Sequence, residues 1–299
     1  VPLPRPFVLG ACFALIGALL SSTPPFQNAM AMDANRCGIP VVYGFCRGVG
    51  SVSYAAPVLL LGFVLERHAP TLLLPVFAAL TACGLIAMAG FRLPERPDEA
   101  ADRPAEHRSI AAVLRSHPRF ALTLLGCMFF FLTHTISNTY MNALVGKAGG
   151  TASAVGTSLA ISAVLELPAM TLVSRLQKRF SPGFFLRFAA GAEVVKFLIF
   201  YLAHSMPLIY LGQCMQFFQF AVYAPATVYY VAAALPERDQ LKGQSLIYVA
   251  GSGLGGALGN LLGGRLLDRS GIQAALLLGT VSAAASLLTF CLSTRKDSR

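Results

Sequence analysis

The stretch Gly50-Ser51, followed by Gly62-Phe63-Val64-Leu65-Glu66-Arg67, returns later in the chain as Gly251-Ser252, followed by Gly264-Arg265-Leu266-Leu267-Asp268-Arg269. In each copy a glycine-rich apolar run of about twenty residues, long enough for one helical membrane crossing, ends in an acid-arginine pair. The period contains six apolar spans, so both copies run in the same direction through a bilayer, as parallel-repeat membrane proteins do. The chain as a whole carries nine such spans.

Composition agrees with that reading. A chain with 56% hydrophobic and 12% charged residues does not belong to a soluble domain, and the fold class is an all-α polytopic membrane protein. Its net charge of +10 would point to nucleic acid in a soluble protein, but here the basic residues lie between spans and set orientation, so no nucleic-acid partner is expected. Seven cysteines, Cys12, Cys37, Cys46, Cys83, Cys127, Cys214 and Cys291, are scattered singly and read as small packing residues. No metal-ligand spacing, nucleotide-binding motif or nucleophile-base pair is visible, so no metal, no cofactor and no enzymatic activity are expected.

The spans fall near residues 6–33, 41–65, 70–91, 118–143, 152–174, 183–203, 206–234, 243–267 and 272–293. The first contains Ser21-Ser22-Thr23-Pro24-Pro25, whose prolines remove backbone donors and kink or break the helix. The one long polar stretch, from Arg92 to Arg108, is rich in charge and proline and reads as a flexible linker. The domains are then a three-helix partial N-terminal bundle (1–91), a linker (92–117) and a six-helix C-terminal bundle (118–299). With the linker cytoplasmic, Arg36, Arg47, Arg175, Lys178, Arg179, Arg187, Arg238, Lys242, Arg295, Lys296 and Arg299 lie on its side, against Arg5, Arg67, Lys147, Arg265 and Arg269 opposite. The positive-inside rule therefore puts the linker and the C-terminus in the cytoplasm and the protein in the cell (inner) membrane.

This organisation resembles the major facilitator superfamily, whose members join two six-helix bundles by a long cytoplasmic linker. Tyr43-Gly44-Phe45-Cys46-Arg47-Gly48-Val49-Gly50-Ser51 resembles the start of helix five in the branch related to lactose, nucleoside and phenylpropionate permeases. Leu235-Pro236-Glu237-Arg238 and Gly263-Gly264-Arg265-Leu266-Leu267-Asp268-Arg269 resemble the same branch around helix eleven. The resemblance covers the chain as helices four to twelve, without the first three. At the family's basic loop the chain reads Ser174-Arg175-Leu176-Gln177-Lys178-Arg179, which keeps the basic residues and lacks the acid.

A solute path needs polar groups gathered on helical faces, since each one turned to lipid lacks a partner. At 100° per residue Gln216, Gln219, Tyr223, Thr227 and Tyr230 form one stripe of the seventh span. His134, Asn138 and Asn142 stand at i, i+4 and i+8 of the fourth, and Asn28 follows the kink in the first. Substrate binding is accordingly assigned to Asn28, His134, Asn138, Asn142, Gln216, Gln219 and Tyr223. The resemblance implies that the fourth and seventh spans match cavity-lining helices seven and ten.

Glu166 lies near the middle of the fifth span, with Ser158 and Ser162 on its face. An ionised carboxylate at mid-bilayer costs roughly 2.5–3.5 kcal/mol, so it must face a cavity, pair or take up a proton. Glu166 is therefore the first candidate for proton coupling, and His134, a residue type that titrates near neutral pH, the second. Arg47 is expected to gate or clamp a helix end, with binding of an anionic substrate group as the alternative, or to pair with Glu166. Glu193 and Lys196, one turn apart, are expected to neutralise each other in a peripheral helix. Gly251, Gly255, Gly259 and Gly263, at fourfold spacing, form a seam for close helix packing.

The function these features support is secondary active transport of a small polar solute by alternating access, with protons as coupling ion and the lipid bilayer as surroundings. Two other readings stand beside it. One is efflux of drugs or metabolites past an apolar wall of Phe129, Phe130, Phe131, Phe217 and Phe218; the other is a truncated, non-transporting membrane protein. The sequence leaves the oligomeric state unknown.

Overall fold

The computed structural model describes residues 41–90 and 109–295, with scattered positions among residues 8–39. Val42–Leu93 and Pro104–Arg299 form one compact unit; Val1–Val41 and Pro94–Arg103 form a second, most of which lies outside the described residues. Every regular element described is helical. In chain order these are α1 (Tyr43–Val64), a 3-10 turn (Pro70–Leu72), α2 (Leu73–Ala89), α3 (Ile110–Ser116), α4 (Pro118–Thr139), α5 (Met141–Lys147), α6 (Ala152–Leu176) and α7 (Pro182–Leu202). There follow α8 (Met206–Cys214), a 3-10 turn (Met215–Phe217), α9 (Phe220–Ala234), α10 (Glu237–Tyr248), a π segment (Val249–Gly255), α11 (Gly256–Ser270) and α12 (Ile272–Ser293).

Six of the described helices are long and apolar enough to cross a membrane, two of them composite: Met206–Ala234 and Arg238–Ser270. The helix α7 carries Arg187, Glu193 and Lys196 along its length, and α2 is only 17 residues long, so neither is among the six. The eighth span starts earlier than its apolar run, because α10 begins in the polar residues Glu237-Arg238-Asp239-Gln240. The short α3 occupies the end of the segment read as linker, with Ser109 capping it by accepting from the Ala112 amide at 3.2 Å.

Local chemistry explains the helix ends. Ser181 accepts from the Phe184 amide at 3.2 Å and Pro182 occupies the first turn, a start signal for α7 that needs nothing from outside the segment. Gly271, at φ +77°, makes the sharp turn between α11 and α12. The helix α6 is capped from another helix: Glu66, just beyond the end of α1, accepts from the Thr151 hydroxyl at 2.5 Å and from the Ser153 amide at 3.3 Å. The acid of the repeated acid-arginine pair thus sits at the positive end of a neighbouring helix dipole.

Two glycine faces set the helix spacing. Along α1, a Cβ at Gly48 would lie 2.6 Å from the Leu167 Cα and one at Gly62 would lie 3.0 Å from the Gly156 Cα, so α1 lies antiparallel and backbone-close to α6. The other face belongs to the π segment and α11: a Cβ at Gly251 would meet the Phe131 ring at 2.7 Å, at Gly259 the Leu132 carbonyl at 2.7 Å and at Gly263 the Tyr140 ring at 2.6 Å. The fourfold seam that includes Gly255 therefore faces α4.

The core has three storeys. One apolar cluster contains Phe120, Phe130, Leu186, Val231 and Phe290; another contains Ile136, Met141, Phe197, Phe200, Ile209 and Leu276. Between them on the same helices lie Glu193, Lys196, Gln213, Gln216, Gln219, Ser282 and Ser286, all buried.

Replacing Gly48 with Val is expected to destabilise the protein by about 1–3 kcal/mol through overpacking, read as a lower midpoint of thermal unfolding in detergent, while the exposed neighbour Val49→Ala leaves the midpoint unchanged. Hydrogen bonds from Ser153, then from Thr151, hold the Glu66 carboxyl below the usual carboxylate range. A depressed folded-state pKa adds stability at neutral pH that is lost as pH falls through it. Glu66→Gln is therefore expected to lower the unfolding midpoint at neutral pH and to leave it unchanged below that depressed value.

Candidate functional site

The helix that should carry the polar stripe of the seventh span is broken. After α8 the 3-10 turn Met215–Phe217 intervenes, and Gln219, at φ −100° and ψ −95°, precedes the restart at Phe220. The two glutamines at the break have different partners. Gln216 donates from Nε2 to Glu166 Oε1 at 2.8 Å and accepts at Oε1 from Lys196 Nζ at 2.8 Å. Gln219 donates to Glu193 Oε2.

Glu193 and Lys196 are therefore not a self-contained pair on a peripheral face. Both are buried, at 0% and 1% exposure, and each reaches across to the broken helix; among the described residues no ion pair joins them. The Lys196 ammonium also lies 5.6 Å over the Phe200 ring.

Glu166, 8% exposed on α6, receives one hydrogen bond from Gln216 and another from the Ser51 hydroxyl of α1. Arg47 donates to that same hydroxyl at 3.3 Å, so Ser51 stands between the guanidinium and the carboxylate. This juncture borders a cavity of 290 Å³ lined by Arg47, Gly50, Ser51, Tyr54, His134, Asn138, Leu159, Ser162, Ala163, Glu166, Gln216 and Phe220. Its size is at the small end of the ~300–1,000 Å³ common for small-molecule sites. A larger cavity of 570 Å³, around Ser116, Arg119, Ser181 and Tyr230, holds no buried charged residue.

Of the residues assigned to substrate from sequence, the structure brings His134, Asn138 and Gln216 to this cavity. The His134 ring stacks on Phe220 with centroids 4.3 Å apart, and Asn138 Nδ2 lies 3.0 Å from His134 Nε2. Asn142 is not brought there: α4 ends at Thr139, so Asn142 sits exposed on α5. Gln219 and Tyr223 lie inside the bundle, with Tyr223 stacked on Phe130 at 3.9 Å. Asn28 lies outside the described residues. None of Phe129, Phe130, Phe131, Phe217 and Phe218 lines the cavity.

The model of the MFS_1 like family matches residues 8–278. This chain belongs to that family. The MFS_1-like chain is similar to a maltose permease of Geobacillus stearothermophilus, 27% identical over 286 residues, covering 95% of this chain and 71% of the relative. It is also similar to the uncharacterized transporter YwbF of Bacillus subtilis (strain 168), 22% identical over 286 residues, covering 95% of this chain and 70% of that one. Among solved structures it shares its fold with the Major Facilitator Superfamily transporter FucP, crystallised in the outward conformation, at a TM-score of 0.51 and 18% identity. That match covers 77% of this chain and 59% of FucP. The superfamily expected from the sequence is the family found, and its permease members are transporters, not enzymes.

Sequence reasoning missed the bond from Lys196 to the Glu166 site in this MFS_1-like chain. A signal was present, since a lysine within an apolar span is costly unless it serves a partner, but the nearby Glu193 supplied a local explanation. Single cysteines at Asn138, Ser162 and Gln216 are expected to react with a water-soluble maleimide, and cysteines at Gln219 and Tyr223 to stay inert. Equal labelling of both groups would contradict the assignment of the cavity wall.

Proposed function

We propose that this chain carries out secondary active transport of a small hydroxyl-rich solute by alternating access, with Glu166 loading and releasing the coupling proton. The observation that carries this reading is the pair of neutral donors on Glu166: the Ser51 hydroxyl and the Gln216 amide hold it at the cavity wall, with no ion pair among the described residues. A carboxyl held by neutral donors can take up a proton without breaking a direct ion pair.

The cavity wall suits a polyol. Arg47 and Gln216 offer donors, Asn138 offers both donor and acceptor, and the rings of Tyr54, His134 and Phe220 offer flat apolar surface for the C–H face of such a molecule. The relative named a maltose permease agrees with a hydroxyl-rich solute. The solute meets Arg47 on α1 and Glu166 on α6, and its occupancy is what makes or breaks the bridge through Ser51. Basic residues on the linker side support an orientation with linker and C-terminus cytoplasmic in the cell membrane.

In proteoliposomes Glu166→Gln is expected to abolish solute accumulation driven by a proton gradient while sparing solute exchange; accumulation at the wild-type level would remove the proton role. Lys196→Met takes away the charged donor that orients the Gln216 amide. About tenfold weaker solute binding is expected, the loss of one charge-assisted hydrogen bond, measured by calorimetry on the purified protein.

A further inference from the structure

Gln216 and Gln219 are buried inside the bundle, while Phe217 and Phe218 between them line the opposite side. Those two rings, with Phe180, Phe184, Phe185 and Phe188, surround a crevice of 240 Å³ whose other walls are Ala169, Leu172, Val173, Leu176 and Val222, all apolar. The rings form a ladder: Phe180 stacks on Phe184 at 5.0 Å, Phe184 on Phe188 at 6.1 Å, and Phe188 meets Phe218 edge-on at 6.3 Å. The ladder thus runs from the turn between α6 and α7 to the break in the seventh span. Phe180, Phe184, Phe188 and Phe218 remain 39–45% exposed, so the slot opens to the bilayer.

Its upper end is positively charged. Phe180 follows Lys178 and Arg179 directly, and Arg175 lies in the last turn of α6, with no acid between Arg175 and Pro182. All three basic residues are exposed, and among the described residues none has a carboxylate partner.

We propose that this crevice binds an anionic phospholipid of the surrounding bilayer, its phosphate on Lys178 and Arg179 and one acyl chain along the phenylalanine ladder. A smooth lipid-facing helix surface would have no preference among lipids. A concave apolar slot ending in unpaired cations selects for a chain and a negative headgroup together. The bound chain touches Phe217 and Phe218, so its occupancy steadies the 3-10 turn that positions Gln216 and Gln219. The binding itself does not depend on the transport reading.

The test is native mass spectrometry of the full chain after exchange into vesicles of phosphatidylcholine and phosphatidylglycerol with matched acyl chains. The wild-type protein is expected to retain phosphatidylglycerol in preference to phosphatidylcholine. Lys178→Gln with Arg179→Gln is expected to reduce phosphatidylglycerol retention by roughly fivefold per charge removed, leaving phosphatidylcholine unchanged. Phe184→Ala with Phe188→Ala, at half-exposed positions that the fold tolerates, is expected to reduce retention of both lipids. Equal retention of the two lipids by the wild-type protein, or wild-type retention in either double variant, would overturn the proposal.

Discussion

The amide of Gln216 bears the constraint on which the rest of the interior depends. Its nitrogen faces a carboxylate, Glu166, and its oxygen faces an ammonium, Lys196, so the amide can point only one way. Both bonds are buried, and either charge would be stranded if the amide turned over. That requirement joins α6, α7 and the broken seventh span at mid-height. Gln219 fixes the other edge of the break by donating to Glu193. The 3-10 turn and the restart after Gln219 interrupt the helix where these two amides meet their partners and where Phe217 and Phe218 line the outer crevice.

Around this polar storey the helices are held by backbone proximity as well as side-chain bulk. Gly48, Gly62 and Gly156 let α1 lie against α6, which places Ser51 and Arg47 beside Glu166. Glu66 ties the far end of the same contact by capping α6. The contact is therefore closed at one end by an acid on a helix dipole and carries the polar bridge nearer the other.

Much of this was legible from sequence because bilayer thickness imposes a length on every crossing. Among the described residues apolar runs marked most spans to within a few residues, the eighth excepted, and Glu166 stood out as an acid among them. Helical arithmetic reached its limit where the helix is interrupted. Asn142 shares a face with His134 only if α4 continues past Tyr140, and Gln216 and Tyr223 share one only if residues 215–219 are helical. Lys196 shows a different limit. Spacing of three on one helix is compatible with an internal pair and equally with two side chains reaching a neighbour, and only the position of the broken helix decides between them.

The most direct measurement is infrared difference spectroscopy of the purified protein in lipid, following carboxyl protonation as bulk pH is stepped and solute is added. The account predicts a protonated-carboxyl band that titrates reversibly, shifts when solute enters the cavity and is missing from the Glu166→Gln protein. A Glu166 carboxyl that stays ionised across the whole range, with no solute-dependent change, would contradict it.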